Sequence, residues 1–102
     1  MRIIWTRYAL DDLKEIREYL LQRESPAFVG KVTRQILDEV GSLSTWPNKG
    51  VLVPELENLH LVNHRQLLAG QHRIIIERSA PISCYVHVVV HTTRDLEALI
   101  RR

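Results

Sequence analysis

The 102-residue chain is predicted to fold as an α+β domain, β-α-α-β-β-β, with a helical hairpin covering one face of a small, mostly antiparallel sheet. Three observations predict it. Apolar residues recur at helical spacing over two adjacent stretches of the first half. The break between those stretches is short, so the two helices must return antiparallel. Three β-rich runs, separated by turn residues, fill the second half.

Arg2 to Trp5 is a β-branched and aromatic run and forms the first predicted strand. Thr6 is placed to cap a helix, with Asp11 and Asp12 acidic near its start. Ala9, Leu13, Ile16 and Leu20 make one apolar stripe, and Lys14, Arg17 and Glu18 lie away from it. Polar Gln22 to Glu24 ends this helix. Ser25-Pro26 opens the next, a capping side chain followed by a proline at the first helical position. Its stripe is Val29, Val32, Ile36, Val40 and Leu43. Ser44 to Asn63 is turn-rich, with Trp46-Pro47-Asn48-Lys49-Gly50 and Pro54, and no regular element is predicted there. Arg65 to Ala69 reads as a strand, Gly70-Gln71 as a tight turn, and His72 to Arg78 as a second strand. Ser79-Ala80-Pro81 turns the chain into Ser83 to His91, the clearest strand of all. Alternation there puts Val86, Val88 and Val90 on one face, and Tyr85, His87, Val89 and His91 on the other. The valine face is expected against the helices, which leaves a partly polar face for binding. Asp95 to Arg102 forms a short terminal helix.

Length and composition allow one domain, residues 1–102, and exclude several classes. The hydrophobic fraction of 45% and the charged fraction of 25% are those of a globular chain rather than a disordered one. No uninterrupted apolar run exceeds three residues, far short of the roughly 20 that span a bilayer. The Met-Arg-Ile-Ile-Trp start lacks the apolar stretch of a secretory signal. A single cysteine, Cys84, excludes an internal disulfide, so a reducing cytoplasm is the expected location. The net charge of +2 conceals an asymmetry. Residues 60–102 hold six arginines, no lysine, and all five histidines, against three carboxylates. Anion-recognising chemistry is concentrated at that end, because the planar guanidinium fork matches phosphate and carboxylate.

No Gly-x-Gly-x-x-Gly, phosphate-binding loop or His-Glu-x-x-His occurs, so no cofactor is expected. Cys84 opens a β-rich run, where a cysteine behaves as a small buried hydrophobe rather than a nucleophile. His60/His64 and His87/His91 have i,i+4 spacing. On a strand, His87 and His91 would share a face about 13 Å apart, too far for one ion, and no carboxylate is suitably spaced. No metal site is expected. The more specific constellation is Arg65, Arg73 and Arg94 at strand edges with His91 closing the last strand. Such a set could serve metal-free RNA cleavage, with histidine moving the proton and arginines neutralising the phosphorane-like transition state. Spacing alone favours the plainer reading, in which these are surface arginines paired with Glu77, Asp95 and Glu97.

One resemblance joins these features. It is carried by Trp5-Thr6-x-x-Ala9-x-x-Asp12-Leu13-x-x-Ile16-x-x-Tyr19-Leu20 and then Ser25-Pro26. It continues through the helix ending at Leu43, Pro47 and Gly50, then Arg65-x-Leu67 and Arg73-Ile74-Ile75-Ile76, to Val89-Val90-His91-x-x-Arg94-Asp95. In this order, across nearly the whole chain, they resemble the RelE/ParE superfamily of bacterial type II toxins, which are paired with a small antitoxin. The opening run and the closing His-x-x-Arg-Asp look most like the ParE branch. The resemblance implies a toxin that poisons DNA gyrase without catalysis and is neutralised by its antitoxin in a hetero-oligomer. It implies target contacts through Arg65, Arg73, Arg94, Leu96, Leu99 and Ile100, and antitoxin contacts through Leu13, Ile16, Leu20 and Val29. The alternative it leaves open is a RelE-like endoribonuclease acting on ribosome-bound mRNA through His91, Arg65, Arg73 and Arg94. His72 stands where a tyrosine often precedes the third-strand arginine, which keeps that alternative in view. A non-toxic binding module is the third possibility.

Overall fold

The computed structural model of the chain describes residues 1–59 and 63–100. Strand β1 (Arg2–Trp5) runs into helix α1 (Arg7–Leu21) through Thr6, whose hydroxyl bonds in two directions. Its Oγ1 accepts the Ala9 N–H at 3.2 Å as the helix N-cap and donates to the Val86 carbonyl at 2.9 Å. Ser25 caps helix α2 (Pro26–Gly41) by accepting the Phe28 N–H at 3.2 Å, with Pro26 in the first turn. Both starts therefore lie where capping chemistry placed them.

The stretch after α2 is more regular than its composition suggests. Ser42–Ser44 forms a 3-10 turn, Val51–Leu52 a two-residue strand β2, and Pro54–Leu59 a second 3-10 segment. Elements this short carry no readable periodicity. Strand β2 forms because Gly50, at φ 108°, lets the chain draw close to its neighbour. A Cβ at Gly50 would stand 3.1 Å from both Arg65 Cβ and the Gln66 carbonyl.

Strands β3 (His64–Ala69), β4 (His72–Ala80) and β5 (Ser83–His91) complete the sheet, and a short helix α3 (Leu96–Ile100) follows. Gly70, at φ 60°, makes the β3–β4 turn. Strand β4 runs on through Ser79 and Ala80, so the next turn is shorter than expected. The strand order is β1-β5-β4-β3-β2, with β1 parallel to β5 and every other pair antiparallel.

Both helices lie on one face. Ala9, Val32, Ile36, Val40 and Leu43 pack there against Leu67, Ala69, Ile74, Ile76, Cys84, Val86 and Val89. The helix stripes are as expected, but the valine face of β5 is not. Ile75 pairs with Val88 while Ile76 pairs with Val86, so His87 is an extra residue, a β-bulge. Alternation slips by one at that point. Val86 and Val89 face the helices, whereas Val88 and Val90 face the other way. There they join Ile75, Val53, Leu56 and Leu96 in a second buried cluster. The face expected to be left open for binding is therefore partly roofed by the Pro54–Leu59 segment and α3.

Strand β1 pairs only with Ser83 to Val86 of β5. Further along, the Val89 N–H is buried and donates to Asp12 Oδ2 at 3.0 Å. Asp12, 6% exposed, is thus a partner for strand backbone rather than a charge at the helix start. Removing it would leave a buried donor unsatisfied. We expect Asp12→Ala to lower unfolding free energy by about 2–3 kcal/mol, and Asp12→Asn, which keeps an acceptor, by about 1 kcal/mol. Urea denaturation with an unchanged m-value measures both.

Candidate functional site

The structure separates the residues that sequence reasoning grouped. Arg65 alternates with Leu67 and Ala69, so it stands on the helix side of β3. Arg73 pairs with Leu68 and Val90 and stands on the opposite face. His91 is level with His72 and Ala69. It therefore lies four residues, about 13 Å, along the sheet from the level of Arg65. Arg94 is in the exposed turn after β5, its N–H bonded to the His91 carbonyl at 3.0 Å.

Arg73 is fully engaged. Its guanidinium forms a two-pronged ion pair with Glu55, at 2.7 and 2.9 Å, and also donates to Gln66 Oε1 at 2.9 and 2.6 Å. Its side chain is only 13% exposed. The hydrogen bonds from Arg73 hold the Glu55 carboxyl below its ordinary range. Glu55 and Gln66 are partners that sequence spacing missed, because the 3-10 segment carrying Glu55 had no periodic signal. By contrast, the Arg65 and Arg94 side chains make no hydrogen bond or ion pair among the described residues, which leaves them available to a partner.

His91 is similarly occupied. Its Nδ1 accepts the Thr93 N–H at 3.2 Å and lies 2.8 Å from the Thr93 hydroxyl. The hydrogen-bond network then assigns the ring proton to Nε2, which donates to Gln71 Oε1 at 3.0 Å. Neither nitrogen is left as a free base. His72, 8% exposed, meets the His91 ring edge-on at 5.5 Å between centroids. Burial, with a smaller contribution from the charge of His91, pushes the His72 imidazole down in pKa. Cys84 is fully buried and its thiol is pushed up, chiefly by burial, which suits a core residue and not a nucleophile.

Of the predicted contact residues in the last helix, Leu96 is 2% exposed and faces the sheet, with Leu99 packed against the same cluster. The Ile100 side chain and His60 lie outside the described residues. On the hairpin, Leu13, Ile16 and Leu20 turn partly inward to the core, and Val29 is 3% exposed. The outward apolar side chains of the hairpin are instead Tyr8, Leu10, Tyr19, Leu21, Phe28 and Leu37. Two open concavities, of about 510 and 370 Å³, lie along Trp46–Lys49 and between Ala27 and Asp38. Neither is lined by the predicted arginines or histidines.

Residues 3–96 match the family described as "ParE toxin of type II toxin-antitoxin system, parDE". The chain belongs to the ParE toxin family. Among solved structures it is similar to one described as "Chromosomal ParDE TA system from P. aeruginosa". That likeness has a TM-score of 0.69 at 20% identity, covering 89% of this chain and 95% of the other, and it establishes a shared fold. No curated protein sequence matches. The resemblance read from the sequence is thereby borne out at the level of family and fold, and the chain is a ParE-type toxin of a toxin–antitoxin system.

Two histidines of this ParE-family toxin link its stability to pH. His64 is also pushed down, first by burial and then by the charge of His87, against an opposing pull from Glu77. Both His64 and His72 bind protons more readily when the chain unfolds, at the ordinary histidine value of 6.5. Their contribution is therefore fully present above pH 6.5 and is lost as pH falls through the lowered folded values. Glu55, depressed from 4.5, adds a further loss in more acidic solution. Urea midpoints measured in EDTA should be flat from pH 8 to 7 and should fall steadily toward pH 5.

Proposed function

We propose that this ParE-type toxin arrests growth by binding DNA gyrase, with no nucleic-acid cleavage of its own, and that a cognate antitoxin neutralises it in the cytoplasm. The observation carrying this reading is the dispersal of the Arg-His constellation. Metal-free RNA cleavage needs a proton-accepting group and phosphate-binding cations around one reacting centre. Here Arg73 is closed off on one face by Glu55 and Gln66. His91 has both nitrogens engaged, and Arg65 stands at the far end of the other face. A toxin acting by surface contact needs no such convergence. Under this reading Arg65 and Arg94 supply charge to the gyrase interface, while Arg73 holds the Pro54–Leu59 segment in place. Leu96 seats α3 on the second cluster, and Leu99 and Ile100 are retained as target contacts of that helix.

The antitoxin contact follows from the hairpin. Leu10 and Leu21 of α1 are 53% and 51% exposed, and helical spacing puts them on one side of that helix. They suit an amphipathic antitoxin segment laid along α1, in the manner of apolar anchors in a groove. Leu13, Ile16, Leu20 and Val29 support that surface from beneath.

A supercoiling assay with purified toxin and gyrase tests the proposal. Inhibition should appear with the whole chain. Arg65→Ala and Arg94→Ala should each raise the toxin concentration required by roughly tenfold, the effect of about 1.4 kcal/mol. Full supercoiling at large toxin excess, or transcripts cut at codon boundaries in arrested cells, would overturn it in favour of the endoribonuclease. Leu10→Glu should weaken neutralisation by the antitoxin while leaving gyrase inhibition in place, measured by adding antitoxin to the same assay.

A further inference from the structure

The β-bulge that redirects Val88 also assembles a cluster that the ParE-type reading does not use. His64, Glu77 and Tyr85 sit level across β3, β4 and β5 on the face away from the helices. The extra residue at the bulge, His87, is brought alongside them. Its Nε2 lies 2.8 Å from Glu77 Oε1. The His64 and His87 rings stack at 5.6 Å with a 20° interplanar angle, and Tyr85 stacks on His87 from the other direction at 6.0 Å. One ligand atom from each of His64, Glu77 and His87 lies within 4.8 Å of the other two, and all three residues are half-buried. His64 Nδ1 is shielded from solvent and has no hydrogen-bond partner among the described residues.

We propose that His64, Glu77 and His87 form a binding site for a divalent first-row transition ion, with zinc the best fit. Two imidazoles and one carboxylate are a recurring three-ligand zinc set, with a fourth position left to water or an incoming group. Calcium and magnesium are disfavoured, because both demand oxygen ligands. Metal–ligand bonds of about 2.0–2.1 Å place tetrahedral ligand atoms roughly 3.3 Å apart. The Glu77–His87 contact is already inside that separation. Closing the remaining gap requires side-chain rotation on the order of 1 Å, with the strand backbones held. Those strands are adjacent and paired through His64, Glu77 and Tyr85, so the ligands stand on rigid elements rather than loops. An ion here would clip β3, β4 and β5 together, which stabilises the folded chain by mass action.

The test uses the whole chain and zinc chloride alone. Calorimetric titration at pH 7.5 should show one zinc per chain, and a stoichiometric amount of zinc should raise the melting temperature. Cobalt(II) should give visible d–d bands of a four- or five-coordinate site with no thiolate charge-transfer band, since Cys84 lies on the other face of the sheet. Glu77→Gln keeps a hydrogen-bonding partner for His87 and removes only the anionic ligand. It should weaken zinc binding at least tenfold with an unchanged circular dichroism spectrum, as should His64→Gln and His87→Gln. His91→Gln should bind zinc as the wild type does. The proposal fails if zinc gives neither heat nor a melting shift, if cobalt shows a thiolate band, or if Glu77→Gln binds as tightly as the wild type. Loss of zinc binding in His91→Gln to the same degree would overturn it as well.

Discussion

Strand β5 lies inside the sheet, yet its outer neighbour β1 covers only its first half, and the rest of the structure answers that mismatch. A buried backbone donor without a partner is costly, so the uncovered N–H of Val89 has to be met from elsewhere. Asp12, in the second turn of α1, reaches across the helix–sheet interface to accept it at 3.0 Å. Thr6 works at the same junction, capping α1 and donating to the Val86 carbonyl. The helix that leaves β1 thus finishes the pairing that β1 begins. Its position over the sheet is fixed by polar contacts as well as by its apolar stripe. Ala9, buried beside Asp12 on α1, keeps the helix close enough for a short side chain to reach.

The bulge at His87 follows the same strand. A uniformly alternating β5 would have sent Val86, Val88 and Val90 to the helices and left Val89 as its one aliphatic side chain on the other face. With one residue inserted, the strand serves two cores. Val86 and Val89 close the helix-side core, and Val88 and Val90 seat Val53, Leu56 and Leu96. The second cluster is what gives the Pro54–Leu59 segment and α3 something to fold against, since neither is long enough to be stable alone. The ion pair from Arg73 to Glu55 reinforces the same attachment from the sheet side.

This explains which parts of the chain were legible from sequence. Strands β1 and β5 have the limits their β-rich runs predicted, and the helix caps and stripes are where Thr6, Ser25-Pro26 and the 3.6-residue spacing put them. Those signals are local, because each is written in residues that neighbour one another along the chain. The facing of β5 was not legible, since a bulge arises from the pairing of two strands and leaves no mark on either alone. The short β2 and the 3-10 segments escaped for a related reason, as they depend on Gly50 and on the second cluster. The site suffered most. Grouping Arg65, Arg73, Arg94 and His91 assumed one shared polar face, and the pairing of β3 with β4 places Arg65 and Arg73 on opposite ones. Histidine spacing misled in the same manner. His87 and His91 were set on one face by counting residues, whereas the bulge turns them apart and brings His87 to His64 and Glu77 instead.

The distribution of charge takes on a different meaning in this light. The arginine-rich second half is not a single anion-binding surface. Arg78 is bonded to the Pro47 carbonyl and to Asn48, and Arg73 to Glu55 and Gln66, so both tie the turn-rich stretch to the sheet. A guanidinium suits that work because its several donors can hold side-chain and main-chain oxygens together. Of the three arginines read as ligand-binding, Arg73 is therefore architectural, while the Arg65 and Arg94 side chains make no hydrogen bond or ion pair among the described residues. Two separated charges on a small domain are poor machinery for stabilising a single phosphorane, which needs donors around one point. They are well suited to steering and orienting a docking surface, where complementary charges spread over a wide area govern encounter and register.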